Sequence, residues 1–339
     1  MSNLSRKEQD NRLRWDGRQR GHYEVYYLKW NDLKSRTAGW IRYTLTVPLP
    51  QVCDPYCELW GMHFDSAEPK NSFAVKNRFP IQSLRWDKDR FLVQIESAEL
   101  RQNSCRAAVS NPDKNLALSW DLTFDSPGPT LYYFPGDFFY GKYGPKTKSL
   151  VPHLDARFQG SIVANGRKIQ LDQVPGLQNH LWGTEHAWRW AWGHCNTFSE
   201  DPAVVFDAVD SQIMLGPWVS PHMKFFYLKF QGREYCLNHP RHWALYHQSQ
   251  WELGRWTFLA RFPDLRVRGE IWSPFEQMLG VTYMEPDGRF LWCNNNTAGA
   301  IKLAITDRSG KSLAELTSDG GCTVEFVDRK IYPQVPIRL

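Results

Sequence analysis

Alternation of apolar and polar residues at every second position constrains this chain more than any other feature. In "LSWDLTF", Leu118, Trp120, Leu122 and Phe124 fall on one side, and Ser119, Asp121 and Thr123 on the other. A strand covered on one face produces this pattern and a helix does not. "GWIRYTLTVP" repeats it, with Ile41, Tyr43, Leu45 and Val47 sharing a side. "YEVYYLKW" and "RFLVQIESAEL" are further strands, rich in aromatic and β-branched residues. Asn165-Gly166 in "RFQGSIVANGRKIQLD" suits a type I′ hairpin turn, and Gln231-Gly232 and Asp287-Gly288 stand in similar contexts. Helical periodicity is scarce, and "NNNTAGAIKLAITDRSGKSLAEL" fits either type.

Strands at about ten-residue spacing, joined by hairpin turns, predict an all-β chain of antiparallel barrels or sandwiches with few helices. A length of 339 residues is long for one such domain and comfortable for two. The Pro/Gly-rich stretch "YYFPGDFFYGKYGPKTKSLVP" and the hairpin after it lead to a boundary at Pro175-Gly176. The expected domains are therefore 12–176 and 177–339.

Composition narrows the function classes. A net charge of +5, from 41 basic and 36 acidic residues, is no nucleic-acid footprint on a chain this long. No run of about 18 apolar residues offers a transmembrane segment, although transient membrane contact stays open. The amino terminus, "MSNLSRKEQDNRLRWDG", lacks the apolar core of a signal peptide, so a cytoplasmic location is expected. Seven cysteines, with Cys53 and Cys57 as a lone C-x3-C pair, predict reduced and mostly buried thiols. Neither a phosphate-binding Gly-rich loop nor a G-x-S-x-G elbow is present.

The most unusual stretch is "GLQNHLWGTEHAWRWAWGHCNTF", residues 176–198. Read as extended chain, His180, Trp182, His186, Trp188, Trp190, Trp192, His194 and Asn196 share a face. Gly183, Glu185, Ala187, Arg189, Ala191, Gly193 and Cys195 lie opposite, and Gly183 is the expected bend. The three histidines are six and eight residues apart, roughly 20 Å or more along a strand, so only a sharp fold-back could gather them on a metal. No metal is expected. In the next strand, "AVVFDAVDSQIML", Asp207 shares its face with Val205 and Val209, and Asp210 lies on the other. A carboxyl in apolar surroundings loses hydration, and its pKa rises toward that of a general acid at neutral pH. The alternative is that Asp207 pairs with Arg189 or faces solvent.

These residues resemble the segment that opens the second domain in the carotenoid 1,2-hydratase, tocopherol cyclase and AttH-like group. "WDGRQRGHYEVYYLKWND", "GWIRYTLTVP", "ELWGMHFD" and "LVPHLDARFQGSIVANGRKIQLDQVPG" are similar to that group's first domain. The resemblance implies a pair of lipocalin-like β-barrels and chemistry on apolar polyene, terpenoid or polyketide molecules, with no cofactor. The group's His-x-Trp element matches His180 and Trp182, and its downstream acidic residue matches Asp207 or Asp210. In the implied reaction Asp207, or in its place Asp210, protonates an alkene while His180 orients the acid or the nucleophile. Trp182, Trp188, Trp190 and Trp192 would offer π faces to a developing cation, with His186, His194 and Glu185 as further substrate contacts. Two rivals remain: a conformational, pericyclic cyclase and a non-catalytic carrier of an apolar ligand. Were the site elsewhere in the first domain, Glu24, His63 and Tyr43 would be the residues to test. The sequence sets no oligomeric state.

Overall fold

A computed structural model describes residues 5–87, 89–243 and 247–339. Its only α-helix among them is Arg6–Asn11, and nearly everything else regular is antiparallel strand. No helix of the described residues is long and apolar enough to cross a membrane. The strands form two large sheets, as the alternation predicted. The ambiguous "NNNTAGAIKLAITDRSGKSLAEL" is strand as well, split between Phe290–Asp307 and Ser312–Asp328. Its period-two positions Ile301, Leu303 and Ile305 are all buried in one core.

The first sheet starts with Phe73–Pro80, Tyr56–Asp65, Thr37–Val47 and His22–Asp32 as neighbours. It continues through Arg167–Gly183, Thr147–Ala164, Leu116–Asp125 and Ser104–Asn111 to shorter strands. Phe73–Pro80 then meets Ser104–Asn111, so the sheet curls into a nearly closed barrel. Asn77 ties this seam. Its Nδ2 donates to the Ser110 carbonyl at 2.9 Å, and its Oδ1 accepts from the Ser110 N–H at 3.0 Å. Leu118, Trp120, Leu122 and Phe124 fill the barrel with Ile41, Tyr43, Leu45 and Val47. The Tyr43 hydroxyl is occupied there by the Glu99 and Arg106 carbonyls and by Trp120. His63 is likewise buried in the wall, which pulls its pKa down to about 4.

The second sheet places Val205–Gln212 beside Arg189–Cys195, then Ser312–Asp328 and Phe290–Asp307. It packs on the outer face of the first. Alternation predicts a wet face opposite Ile41 and Tyr43, yet Trp40, Arg42, Thr44 and Thr46 are buried too. Trp40, Trp60, Met62 and Phe64 form a shared core with Leu279, Val281, Tyr283 and Leu291. Polar bonds cross the same junction. Asn31 Nδ2 donates to the Thr297 carbonyl at 2.5 Å, and Asn196 Nδ2 to the Gly176 carbonyl at 3.1 Å.

The strand Arg167–Gly183 runs through Pro175-Gly176 without a break, and Gly176 to Gly183 pair with Trp30 to Tyr23 in the first sheet. Pro175 lies one residue beyond the stretch paired to His22–Asp32, so it owes that strand no N–H. The second sheet begins only at Arg189. Gly183 marks the changeover, and a Cβ there would stand 2.0 Å from the Lys146 carbonyl oxygen.

The Asn165-Gly166 hairpin joins Ala164 to Arg167 with both turn residues at positive φ, 46° and 83°. Gly166→Ala is therefore expected to cost about 1–2 kcal/mol, read as a lower urea midpoint at unchanged slope.

Candidate active site

A cavity of about 200 Å³ lies at the junction of the two sheets. Its wall draws Val25 and Tyr27 from His22–Asp32, Trp40 and Arg42 from Thr37–Val47, and Trp190 and Trp192 from Arg189–Cys195. Phe225, Trp243 and Tyr283 add further aromatic surface. Few polar groups reach it, which is the usual character of a site for an apolar ligand.

Asp207 lies directly behind this wall and is 0% exposed. Its strand pairs it with His194, so it projects toward the junction, as its alternation with Val205 and Val209 predicts. Tyr133 donates its hydroxyl to Asp207 Oδ1 at 2.7 Å, and Trp192 donates Nε1–H to Oδ2 at 3.2 Å. Both donors line the cavity. Burial pushes the Asp207 carboxyl up to about 7, against the opposing pull of these hydrogen bonds and of the Lys29 charge. Lys29 is itself wholly buried, donates to Asn31 Oδ1 at 2.8 Å and is brought down to about 8 by desolvation. Arg189 does not pair with Asp207. It lies on the opposite face, bound to Gln212 at 2.6 Å.

Asp210 is also fully buried, but on the other side of its strand. It accepts from His222 Nδ1 at 2.7 Å and from the Ser249 hydroxyl inside the second sheet's curve. Neither residue lines the junction cavity.

The even-numbered positions of the Trp-rich stretch do not keep one face, because the chain turns between Gly183 and Arg189. Before the turn, His180 and Trp182 point into one end of the first barrel, and Leu181 faces the cavity instead. The His180 ring stacks on Tyr26 at 4.3 Å. Its Nδ1 meets the Asp10 carbonyl at 2.9 Å and its Nε2 meets Glu24 Oε1 at 2.8 Å. Burial lowers its pKa, although the Glu24 contact works the other way. With both nitrogens engaged there, His180 cannot orient Asp207. Trp182 packs on His180 at 4.7 Å and under the Arg14 guanidinium at 5.0 Å, away from the cavity.

After the turn, His186, Trp190 and Trp192 reach the cavity. Trp188 lies outside it, beneath Arg329 at 5.2 Å. Glu185 is an outer salt-bridge residue, 2.5 Å from Lys146 and 2.9 Å from Arg289. His194 is buried behind Trp192, with Nε2 on the Leu154 carbonyl at 2.9 Å and its pKa lowered by desolvation. The three histidines thus have three separate partners, and no His/Cys/Asp/Glu cluster among the described residues could hold a metal.

Glu285 and Tyr133 escaped the sequence reading, whereas His186 is among its expected substrate contacts. His186 Nδ1 lies 2.9 Å from Glu285 Oε2, and its backbone N–H donates to the same carboxylate. Burial alone would raise Glu285, but His186 and Arg329 hold it at about 2. With Nδ1 engaged by Glu285, the His186 Nε2 has no hydrogen-bond partner among the described residues. The ring is clamped on Tyr23 at 3.8 Å. Glu285 lies in the turn segment "MEPDG" and Tyr133 in the Pro/Gly-rich middle, so neither belongs to an alternating strand that would flag it.

Fold and site together define a two-sheet β protein with an aromatic cavity at the sheet junction and a buried acid behind it. The tocopherol cyclase-like family profile matches residues 143–326, more than half of the chain, and the protein belongs to that family. An uncharacterized protein of Mycobacterium tuberculosis is 22% identical over 297 residues, covering 87% of this chain and 84% of its own. Three solved structures are similar in fold. An AttH-like protein from Nitrosomonas europaea has a TM-score of 0.55 at 11% identity, over 95% of this chain and 96% of its own. Kievitone hydratase from Nectria haematococca gives 0.54 at 11%, over 90% and 88%. CghA gives 0.58 at 9%, over 92% and 90%.

Proposed function

We propose that the protein is a cofactor-independent hydratase or cyclase that protonates an alkene of a small apolar molecule of the isoprenoid, polyene or polyketide type. One observation carries this reading: a fully buried carboxyl, Asp207, held near neutrality and linked to the cavity by Tyr133 and Trp192. The family and the fold shared with a hydratase support it.

In this mechanism protonated Asp207 reverses the hydrogen bond: its O–H donates to the Tyr133 oxygen, and Tyr133 passes its own proton to the alkene carbon as it takes the one from Asp207. A carbocation forms against the faces of Trp192, Trp190 and Tyr27, where a desolvated cation–π contact contributes on the order of 2 kcal/mol. Water or a hydroxyl of the same molecule then captures the cation, or a second alkene does so and the new cation is discharged by loss of an adjacent C–H proton to His186 Nε2. His186 Nε2 accepts the proton released by an oxygen nucleophile, and ionised Glu285 stabilises the imidazolium. Protons return to Asp207 from solvent between turnovers.

Reaction in D₂O tests this against the two rivals. A mixture of linear polyenes and prenylated phenols is incubated with the protein and analysed by mass spectrometry. Alkene protonation places one deuterium on carbon, and hydration in H₂¹⁸O adds one ¹⁸O. A product without carbon-bound deuterium is the result of a pericyclic cyclase and overturns the acid mechanism. Retention of unchanged polyene would make the protein a carrier.

A further inference from the structure

Arg42 is a buried cation for which the mechanism above has no use. It is 4% exposed, yet it lines the cavity. Its guanidinium lies over Tyr283 at 4.3 Å, Trp60 at 5.1 Å and Trp40 at 5.3 Å. These rings interact with the face of the charge and offer nothing to the N–H groups in its plane. Nε and Nη1 have no hydrogen-bond partner among the described residues. A guanidinium carries five donors and keeps its charge at any working pH, so burying it unpartnered is costly unless something else completes it.

The neighbouring carboxyl does not complete it. Glu325 also lines the cavity, but its oxygens accept from Trp190 Nε1 at 3.0 Å and Asn295 Nδ2 at 3.3 Å. Two other groups of the cavity wall are orphaned among the described residues, Trp40 Nε1 and His186 Nε2, and the His186 ring flanks the same Tyr283 at 6.2 Å. Polar groups thus gather around Tyr283. Phe134, Met223, Phe225 and Trp243 make much of the remaining wall apolar, with Thr147, Ser149, Ser211 and Lys224 as its other polar residues.

We propose that the cavity takes an amphiphile whose anionic oxygen head, in the simplest case a carboxylate, is gripped by the Arg42 fork while its apolar chain lies along the indoles. Tyr27 links the two regions, with its ring 6.1 Å from Trp40 on the Arg42 side and 5.5 Å from Trp192 on the Asp207 side. A head fixed at Arg42 therefore sets which carbon of the chain lies at Tyr133. The anchor rests on the cavity being the substrate site, but not on proton transfer taking place there.

The test uses the fluorescent polyene cis-parinaric acid and its methyl ester, titrated into the full-length protein above the acid's pKa. The acid is expected to bind roughly 10- to 100-fold more tightly than the ester, as a charge-assisted bidentate contact implies. Arg42→Met should remove that preference by bringing acid affinity down to that of the ester, and Arg42→Lys should restore only part of it. Equal binding of acid and ester to the unmodified protein overturns the anchor without any variant having to fold. So does an acid preference that survives in Arg42→Met. Failure of both probes to bind counts against the cavity itself, whereas carbon deuteration with equal binding leaves the acid mechanism standing and removes only the head-group site.

Discussion

Asp207→Asn is expected to lower turnover by about 10²–10⁴-fold, the range a positioned general acid contributes, with ligand binding nearly unchanged. Asparagine fills the same volume and still accepts from Tyr133, but it has no proton to deliver. Tyr133→Phe should lose a similar factor, because the hydroxyl stands between Asp207 and the cavity. The double variant should be little worse than either single one, as for groups that act as a unit. The pH dependence has a definite sign. The acid is active when protonated, so turnover should be full well below pH 7 and fall as pH rises through about 7, the value to which burial brings this carboxyl. Stability follows the same linkage. The folded state binds the Asp207 proton more tightly than an unfolded chain with a value near 3.8, so its contribution erodes as pH rises from there to about 7. Between pH 5 and pH 8 the variant should therefore gain on the parent by on the order of 2–3 kcal/mol. Urea unfolding at the two pH values reads this directly. Undiminished turnover in Asp207→Asn would reject the proton-donor role.

The largest stability effect is expected at Glu24, which is wholly buried at the other end of the first barrel. Its Oε1 accepts from Arg14 N–H at 2.7 Å, Tyr26 hydroxyl at 3.1 Å and His180 at 2.8 Å. Its Oε2 accepts from Trp15 N–H at 3.0 Å and His22 at 3.2 Å. This carboxylate fastens the N-terminal segment to the barrel. Burial on its own would raise its pKa, yet the His180 and His22 contacts outweigh that and hold it at about 2. Glu24→Gln puts a donor where only acceptors fit and strands the imidazoles, so it should cost about 3–5 kcal/mol. In the parent, Glu24 stabilises the fold fully above its ordinary value of 4.5, and that stabilisation is lost as pH falls through about 2. The variant should lack this acid-dependent component. A loss below 1 kcal/mol, measured by urea unfolding at neutral pH, would show that the cluster is dispensable. A further consequence concerns His180: its replacement should lower stability far more than it alters turnover per folded molecule.

Much of the site's first half was legible in the strands. Asp207 sits between two valines two positions away on either side, and that alone aims it at apolar surroundings. Trp190 and Trp192 follow from the same rule within an unbroken strand. The rule fails at Gly183, where the chain changes sheets and the period restarts, so His180 and Trp182 part company with Trp190. It fails again at Arg42. A polar residue opposite Ile41 and Tyr43 reads as solvent-facing unless a second sheet is known to cover that face.

What the sequence determined by itself was local: strands where apolar residues recur every second position, tight turns where Asn-Gly or Gln-Gly permits positive φ, and a carboxyl embedded in a hydrophobic run. Those properties depend on neighbours within a few residues. Which faces meet was decided only by the tertiary structure. The cavity is lined by segments as far apart as Val25 and Glu325, and the partners Tyr133 to Asp207 and His186 to Glu285 lie 74 and 99 residues apart. Burial and desolvation set the protonation of these groups, and both exist only once the two sheets have packed together.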